Sequence, residues 1–322
     1  MLYIGDPERD MGPKMRYNIV KGYVFVIISA IIFGCMPLGA KIIYADGVNA
    51  LTLVFLRNAL SLPALALLAK KSSRTLRLPN SCLWEISVIA FFGCCITPIL
   101  LFSSYNYISS GTATVFHFIY PAVTVLGGIL FFRERVRFGP MVCILVCTLG
   151  VSLFYEPGVP IHLWGSVLAL CSGMTYAIYI MLLSRFHHKE VSGFKFSFYT
   201  AAVCSLFILA MCLLTCQFRL PHSPAAWLTS MIFSLVLSVG AVVLFQQGTF
   251  LIGGQRAAIL STFEPITSLL VGFLAFQENI SFRLLIGSTL VIAATVIIAV
   301  VDMLELKKKG AHMENCARNK TG

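Results

Sequence analysis

The sequence predicts an all-α integral membrane protein, with ten transmembrane helices in two inverted five-helix repeats around a central cavity. Of its 322 residues, 58% are hydrophobic and 11% are charged, which leaves too little polar surface to cover a soluble globule. Apolar runs of about 20 residues, the length of a membrane-spanning helix, recur along nearly the whole chain. Two of these runs also match each other in sequence, which indicates an internal duplication.

The predicted spans are joined by short connections, so neighbouring helices are expected to run antiparallel and no large extramembrane domain is expected. The segment before them, 1–20, is expected to be a disordered cytoplasmic leader, and 304–322 a basic cytoplasmic tail. The first repeat is assigned to 21–155 and the second to 156–303. The ten predicted spans are 21–44, 51–70, 83–103, 111–132, 138–154, 163–184, 196–215, 226–250, 256–276 and 282–301.

The basic residues predict how these spans are oriented. The chain holds 24 Lys and Arg and a net charge of +11, a balance that can indicate nucleic-acid binding. Here they lie mostly in short segments between apolar runs, where they set topology and meet lipid head groups, so no nucleic-acid partner is predicted. All but four of them fall on one predicted side; Arg219 and Arg283 fall on the other, and Lys41 and Arg57 within spans. The positive-inside rule then places both termini in the cytoplasm, at the cell membrane.

The eleven cysteines do not predict a disulfide framework or a metal site. Most of them lie inside apolar runs, where a thiol serves as a small packing residue. Cys212 and Cys216 are one helical turn apart, but no His or carboxylate lies beside them to complete a metal site. No cofactor is predicted.

The duplication is clearest between residues 112–134 and 256–278. The two segments read TATVFHFIYPAVTVLGGILFFRE and RAAILSTFEPITSLLVGFLAFQE, with identical residues at seven aligned positions. Pro121 aligns with Pro265, and Glu134 with Glu278. Because each repeat holds five spans, an odd number, the second copy is expected to lie upside down relative to the first. Inverted repeats are typical of secondary transporters, which bind substrate near the bilayer midplane.

The same two segments resemble a known family. With their flanks, NYISSGTATVFHFIYPAVTVLGGILFFRERV and FLIGGQRAAILSTFEPITSLLVGFLAFQENI are similar to the fourth-span signature of EamA-type members of the drug/metabolite transporter superfamily. The resemblance implies ten helices in two inverted repeats around a central cavity, and transport of small metabolites. It does not indicate which metabolite. Glu134 and Glu278 close the two matching helices, and we interpret both as anchors for the following turn, with gating as the lesser alternative.

Glu264 is the first candidate for a functional residue. It lies about 12 Å deep in its predicted span at 1.5 Å per residue, near the bilayer midplane. Its counterpart Tyr120 also precedes a proline, which removes a backbone donor and lets polar groups and water gather at that level. Glu264 could bind a proton or a cationic substrate group, with Tyr120 opposite it, or it could be a protonated glutamate bonded to a neighbouring helix for structure.

Arg57 and Asn58 lie in the outer third of the second predicted span. Arg57 could face the cavity, where it would receive a substrate carboxylate or pair with Glu264. It could equally extend to the outer membrane interface. His117, one turn before Pro121, is either a packing residue or part of a proton relay.

Further polar and aromatic residues are weaker candidates. Asn106 and Gln246 could line the cavity or link helices, and Tyr176 and Tyr179 could stack on a substrate ring or serve as ordinary packing. Prolines within spans are expected to kink their helices and could act as hinges. The prolines singled out for this role are Pro37, Pro98, Pro121 and Pro265.

No enzyme constellation is present in the sequence: HExxH, GxSxG and P-loop motifs are all absent. The sequence therefore predicts a secondary active transporter, monomeric or homodimeric, that moves a small metabolite by alternating access. Amino acids are the first substrate class, with nucleobases or drug-like cations next. Protons are the expected coupling ion, with uniport or exchange as the open alternatives. The alternatives are a membrane-embedded enzyme or lipid-handling protein, or a multidrug exporter of the same family.

Overall fold

The fold is described from a computed structural model of the chain. The described residues are 13–73, 75–108, 110–132, 138–153, 162–186, 188, 191–276, and within the next segment 282–283, 285–287, 289–290, 292–294 and 297. These residues form helices and connecting turns and contain no β-strand. The predicted all-α class is therefore confirmed over the described part of the chain.

Helices α1 to α6 form the first three predicted spans. A π-helical segment, Phe91–Ile96, joins helices α5 and α6 within the third span and is called the first π segment below. The six helices are α1 (Pro13–Gly34), α2 (Met36–Ala45), α3 (Ala50–Ala59), α4 (Leu62–Ser72), α5 (Asn80–Ala90) and α6 (Thr97–Ser104).

The remaining helices complete the two halves of the chain. A second π segment, Leu235–Val242, lies between α12 and α13. These helices are α7 (Ser110–His117), α8 (Tyr120–Phe132), α9 (Phe138–Ser152), α10 (Leu163–Arg185), α11 (Gly193–Leu214), α12 (Pro224–Ser234), α13 (Val243–Ile252), α14 (Gly254–Leu260) and α15 (Phe263–Phe276).

Within the described residues, six continuous helical stretches are long and apolar enough to cross a membrane. They correspond to the first three and the sixth to eighth predicted spans, and the other four predicted spans remain predictions. Large apolar side chains are exposed on the outside, such as Phe131 at 78% and Leu214 at 82%, as expected of a surface that faces lipid. The six stretches are Tyr17–Ala45, Ala50–Ser72, Asn80–Ser104, Leu163–Arg185, Gly193–Leu214 and Pro224–Ile252.

Local sequence signals explain where several helices begin. The side chains of Asn49, Ser192 and Ser223 accept hydrogen bonds from backbone N–H groups three residues later, so they cap α3, α11 and α12. Pro37 and Pro63 lie in the first turns of α2 and α4, where a missing N–H costs nothing. The preceding residues Cys35 and Ser61 therefore mark short interruptions within the first two spans.

The helical stretches that carry Pro121 and Pro265 are broken at matching positions. The break between α7 and α8 lies at 118–119, and that between α14 and α15 at 261–262, which is 143 residues later. Each break contains a three-residue turn bond, from Ile119 N–H to the carbonyl of Phe116 at 3.4 Å and from Glu264 N–H to that of Ser261 at 2.9 Å. A proline removes one helical N–H and crowds the preceding turn, so both helical stretches are interrupted just before Pro121 and Pro265.

The two π segments also occupy matching positions. They begin 144 residues apart, in the third helical stretch of each half of the chain. A π turn inserts one residue into the helical ladder and leaves a carbonyl without its usual donor. In the first segment Thr97 Oγ1 donates to the carbonyl of Phe92 at 2.7 Å. Neither π segment was predicted from the sequence.

Packing between the halves follows an exchanged pattern. Helix α1 packs on α13 and α15, and helix α10 packs in the same way on α6 and α8. Helices α3 and α11 pack directly on each other. The first helix of each half thus contacts the third and fourth helices of the other half, which is the pattern expected of two related units. The buried core forms two main clusters, and a cavity is lined by residues from both.

Candidate functional site

A cavity lies at the centre of the packed helices. Its volume is about 50 Å³. That is room for a few water molecules and is small for a metabolite. Helices of both halves line it, through Phe33, Met36, Arg57, Gly93, Cys94, Thr97, Pro98, Leu101, His117, Tyr176, Tyr179, Val242, Phe245 and Glu264.

Glu264 lines this cavity from the first turn of α15. Its side chain is 9% exposed, and it forms no hydrogen bond or ion pair with any described residue. Helix α1 packs tightly behind it, because a Cβ added at Gly34 would lie 2.6 Å from the carbonyl oxygen of Glu264. The glycine lets the two helices approach at the level of the Glu-Pro pair. The hypothesis that Glu264 is bonded to a neighbouring helix finds no such bond among the described residues.

Arg57 also lines the cavity, and its backbone is held by two serines. The N–H of Ser61 donates to the carbonyl of Asn58 at 3.2 Å, in a three-residue turn that leaves the Arg57 carbonyl for other donors. Ser234 Oγ and Ser238 Oγ donate to this carbonyl at 2.5 and 2.9 Å. The second span is therefore anchored to α12 and to the second π segment at the residue that carries the guanidinium.

The guanidinium of Arg57 is buried rather than directed to the membrane interface. Its side chain is 4% exposed, and Nε forms no hydrogen bond within the described residues. It also makes no ion pair with Glu264, as no nitrogen–oxygen distance of 4.0 Å or less joins the two described side chains. Both side chains therefore line one cavity without forming an ion pair with each other.

Three stacked rings form one wall of the cavity. Tyr176 stacks on Tyr179 and on Phe245, with ring centroids 5.5 and 5.8 Å apart. The ring of Tyr179 lies over Gly93 in the first π segment, where any Cβ would overlap it. Tyr176 and Tyr179 both line the cavity, and their stacking on a substrate ring remains a prediction.

His117 lines the cavity at the end of α7. Its Nδ1 lies 2.8 Å from Ser172 Oγ, and Ser172 Oγ donates to the carbonyl of Ala169 at 2.6 Å. With its hydroxyl proton used on Ala169, Ser172 accepts from His117, which places the imidazole proton on Nδ1. The ring of His117 also packs beside Tyr120 and Tyr176, with centroids 5.3 and 5.4 Å away.

Tyr120 does not line the cavity, although its counterpart Glu264 does. Its side chain is fully buried at 0% exposure behind Tyr176, with which it makes an edge contact at 4.8 Å between centroids. The two residues that precede the mid-span prolines therefore have different surroundings. Tyr120 supports the ring wall from behind.

The three amide candidates also lie outside the cavity lining. Asn58 Nδ2 donates to the carbonyl of Val54 in its own helix at 2.9 Å, and Gln246 Oε1 accepts a short hydrogen bond from Ser197. Asn106 is exposed in the turn after α6. The first two link or stabilise helices, and the third faces outward.

Among the prolines, Pro98 lines the cavity directly after the first π segment. Pro37 is buried in the first turn of α2, and Pro121 and Pro265 follow the matching helix breaks. Glu134 and Glu278 lie outside the described residues, so their role as turn anchors remains a prediction.

Several cavity residues were missed by sequence reasoning. Thr97 is one of them: Thr97 Oγ1 lies 2.7 Å from Thr175 Oγ1 and so ties the first π segment to α10. A threonine directly before Pro98 is a weak sign of a backbone irregularity. The serine pair that holds Arg57 had no such sign, because these residues are 177 and 181 positions away in sequence. Within the described residues, no group of three or more His, Cys, Asp or Glu is arranged to hold a metal ion.

Comparison with known proteins places the chain in a family. The sequence profile of the EamA-like transporter family matches twice, over residues 20–155 and 163–300. The chain belongs to the EamA-like transporter family. The two matches coincide closely with the two halves that share helix breaks and π segments. This family assignment confirms the resemblance found in the sequence, and it identifies a multi-pass membrane protein of a transporter family.

Individual relatives are consistent with this assignment. An uncharacterized transporter of Archaeoglobus fulgidus is 27% identical over 51% of this chain and 58% of its own length. One from Haemophilus influenzae is 25% identical over 55% of this chain and 61% of its own length, so both alignments span less than two thirds of these relatives. The uncharacterized transporter YcbK of Bacillus subtilis is 24% identical over 83% of this chain and 88% of its own length.

A solved crystal structure has the same fold. It superimposes with a TM-score of 0.69 and covers 88% of this chain and 97% of the solved chain, at 16% sequence identity. At that identity the likeness concerns the fold alone. The family and the names of the relatives indicate a transporter rather than an enzyme.

Proposed function

We propose that this chain is a secondary active transporter that moves a small metabolite across the cell membrane by alternating access, with Glu264 as the proton-carrying residue. In this proposal ten helices form two inverted repeats, 21–155 and 156–303, with both termini in the cytoplasm. The central cavity is the substrate site. The observation that carries the proposal is that Glu264, a buried carboxyl group without a partner among the described residues, lines a cavity between two related halves.

The repeated features of the two halves support the duplication. Helix breaks recur 143 residues apart and π segments 144 residues apart. The first helix of each half packs on the third and fourth helices of the other. Duplicated halves around a central site can exchange their conformations, which is the physical basis of alternating access in repeat transporters.

Contacts at the two ends of the second span support a closed central site. Beyond its N-terminal end, Asn49 Nδ2 donates to the carbonyl of Gln217 at 2.6 Å, and Asp46 accepts from the backbone N–H of Ser223 at 3.1 Å. Beyond its C-terminal end, Ser72 and Ser73 contact Ser192 at 2.8 and 2.9 Å. Alternating access requires that one such set opens while the other stays closed.

A second contact of this kind lies beyond the C-terminal end of the span. His188 Nε2 lies 3.0 Å from Glu85 Oε2, which joins the connection after α10 to the start of α5. Lys195 Nζ donates to the carbonyl of Arg77 at 2.9 Å. Hydrogen bonds and exposed ion pairs of this size are individually weak, so they can be exchanged during a transport cycle.

A flux measurement tests the proposal directly. The purified protein in liposomes is expected to move solute without changing it chemically. A first screen identifies the solute, since a bound metabolite raises the melting temperature of the protein by mass action. The alternative, a membrane enzyme or lipid-handling protein, would convert a compound while no solute crosses. That result would overturn the transporter proposal.

The same vesicles test proton coupling. Uptake of the identified solute is expected to follow an imposed pH gradient in sealed liposomes and to collapse when a protonophore is added. Uptake that is indifferent to the pH gradient would leave the transporter in place but remove the proton as its coupling ion. Uniport or exchange would then be the mode of transport.

A further inference from the structure

We propose that Arg57 forms an anion subsite within the central cavity and binds a single carboxylate group of the substrate. This inference rests on the proposed function, because it assumes that the cavity receives the transported solute. It narrows the substrate class to compounds with one carboxylate, including zwitterions such as amino acids. The position of Arg57 in the cavity wall carries the inference.

The guanidinium of Arg57 is buried without a described anionic partner. An arginine keeps its charge in proteins and offers five N–H donors in a fixed planar fork. The Arg57 side chain is 96% buried, its Nε bonds no described residue, and no described carboxylate lies within ion-pair distance. A buried cation is costly unless acceptors satisfy it. The planar fork of a guanidinium matches the two oxygens of a carboxylate.

The backbone of Arg57 is held in a fixed position. The Ser234 and Ser238 hydroxyls both donate to its backbone carbonyl, and α3 packs closely on α11. A guanidinium on an anchored backbone keeps its orientation, so it loses less conformational entropy when it binds a ligand.

The charged residues that line the cavity limit the bound anion to one negative charge. Arg57 is the one permanent cation among the described residues of the cavity lining. A phosphate monoester would bring up to two charges into a small cavity that Glu264 already shares. In a low-dielectric site, like charges repel strongly. A monocarboxylate balances Arg57 alone.

The surroundings of the subsite also set how Glu264 responds. The other titratable groups around the cavity are Cys94 from the first π segment, His117 from α7, and Tyr176 and Tyr179 from α10, with Tyr105 at the end of α6. None of them brings a permanent charge. When a carboxylate neutralises Arg57, an ionised Glu264 would be left as an uncompensated charge, so substrate and proton are expected to bind together. A monocarboxylate anion and a proton would then cross as a neutral pair, and a zwitterion and a proton as a single positive charge.

The stacked wall suggests which probes to use. Tyr176, Tyr179 and Phe245 line the same cavity as Arg57, so probes should carry one aromatic ring. The test measures the melting temperature of the purified protein with benzoate, phenylacetate and phenylalanine, each at millimolar concentration. Each acid is compared with its primary amide, which has nearly the same shape but lacks the negative charge of the carboxylate. Phenyl phosphate serves as the doubly charged comparison.

At least one acid is expected to raise the melting temperature of the unsubstituted protein, while its amide and phenyl phosphate do not. In Arg57→Gln this rise should disappear, and in Arg57→Lys it should fall to an intermediate value, because the charge remains but the planar fork is lost. Lys41→Gln is the matched control. It removes another basic residue of the first two spans, exposed on α2, and should leave the rise unchanged.

Three results would overturn the subsite. They are equal stabilisation by an amide and its acid, equal stabilisation of Arg57→Gln and the unsubstituted protein, and no stabilisation by any acid. Flux separates this inference from the proposed function. If liposomes transport only solutes that lack a carboxylate, the transporter stands and the subsite fails. If acids bind through Arg57 but no solute crosses, the subsite stands and the transporter fails.

Discussion

The ring of Tyr179 on α10 lies directly over Gly93 in the first π segment, so close that no side chain larger than hydrogen fits between them. This contact holds the ring wall of the cavity against the third span. Gly93 therefore determines where Tyr179 lies, and with it Tyr176 and Phe245. A glycine of the second π segment, Gly240, has nothing closer than 3.7 Å to an added Cβ.

Gly93→Ala is expected to displace Tyr179 and to destabilise the protein by about 1–3 kcal/mol, the usual cost of overpacking. The melting temperature of the purified protein measures this effect. Gly240→Ala is the matched control, since its new methyl group meets only ordinary contacts and should change the melting temperature little. A result in which both alanines are equally tolerated would contradict the tight contact between Gly93 and Tyr179.

Glu264→Gln is expected to abolish uptake driven by a pH gradient while solute exchange continues. Glutamine keeps the shape of the side chain but cannot bind and release a proton. Uptake and exchange of the solute identified by the melting screen are measured in the same liposomes. Glu264→Asp keeps a carboxyl group and should restore part of the gradient-driven uptake. If the pH dependence of uptake is unchanged in Glu264→Gln, this residue is not the proton carrier.

The serines that hold Arg57 are expected to act together. Ser234→Ala or Ser238→Ala alone leaves the Arg57 carbonyl one donor and should cost about 0.5–1.5 kcal/mol. The double variant leaves that carbonyl without either hydroxyl, and its cost should exceed the sum of the single costs. Melting temperatures of the four proteins complete the cycle.

Ser230→Ala is the control for this cycle. Ser230 is buried on the same helix, α12, and its hydroxyl has no hydrogen-bond partner within the described residues. Replacing it should therefore leave stability unchanged or raise it slightly, because no buried bond is lost. Simple additivity of the Ser234 and Ser238 substitutions would mean that the two hydroxyls do not share the Arg57 carbonyl.

Asp46 is expected to make one end of the protein sensitive to acid. Hydrogen bonds from the backbone N–H groups of Ser223 and His222 hold the pKa of its carboxyl group below the ordinary value. A lowered folded-state pKa means that this contact is fully formed above the unfolded pKa and is lost as pH falls through the folded one. Amide exchange at 222–223, corrected for its intrinsic rate, should rise as the solution is acidified below about pH 4.

Asp46→Ala removes the acceptor, so exchange at the same amides should be fast at neutral pH and show no acid step. Amides of α11, which Asp46 does not contact, provide the reference within the same molecule. An acid step of equal size in Asp46→Ala would assign the transition to another group.

The contacts at the two ends are expected to have opposite effects on access to the cavity. Cys94 lines the cavity and is a native reporter for a water-soluble maleimide. Glu85→Ala removes the contact with His188 and should increase labelling of Cys94 from that side of the membrane. Asp46→Ala should increase it from the other side. Mass spectrometry of the Cys94 peptide, in vesicles of both orientations, measures the labelling.

The exposed thiol of Cys216, just beyond the end of α11, is labelled in vesicles that present that end to the reagent and confirms that the reagent is active. An increase from the same side in both variants would contradict the alternation of the two ends. No change in either variant would mean that these contacts do not control access.

The sequence by itself determined the membrane-spanning, all-helical class and the family. Hydrocarbon requires long apolar runs whose backbone groups are satisfied within the helix, and that requirement is visible in composition alone. Six predicted spans lie within a few residues of their observed positions for this reason. The aligned positions of Pro121 and Pro265 also marked where the fourth helix of each half breaks, because the N–H that a proline lacks is a local property of the sequence.

Only the tertiary structure decided which polar groups meet. Arg57 and Asn58 are neighbours in sequence, but successive helical residues point in directions about 100° apart, and only Arg57 lines the cavity. Glu264 and Tyr120 precede matching prolines, yet one lines the cavity and the other lies behind Tyr176. These outcomes depend on the helix packed opposite each residue, and that helix is far away in the chain.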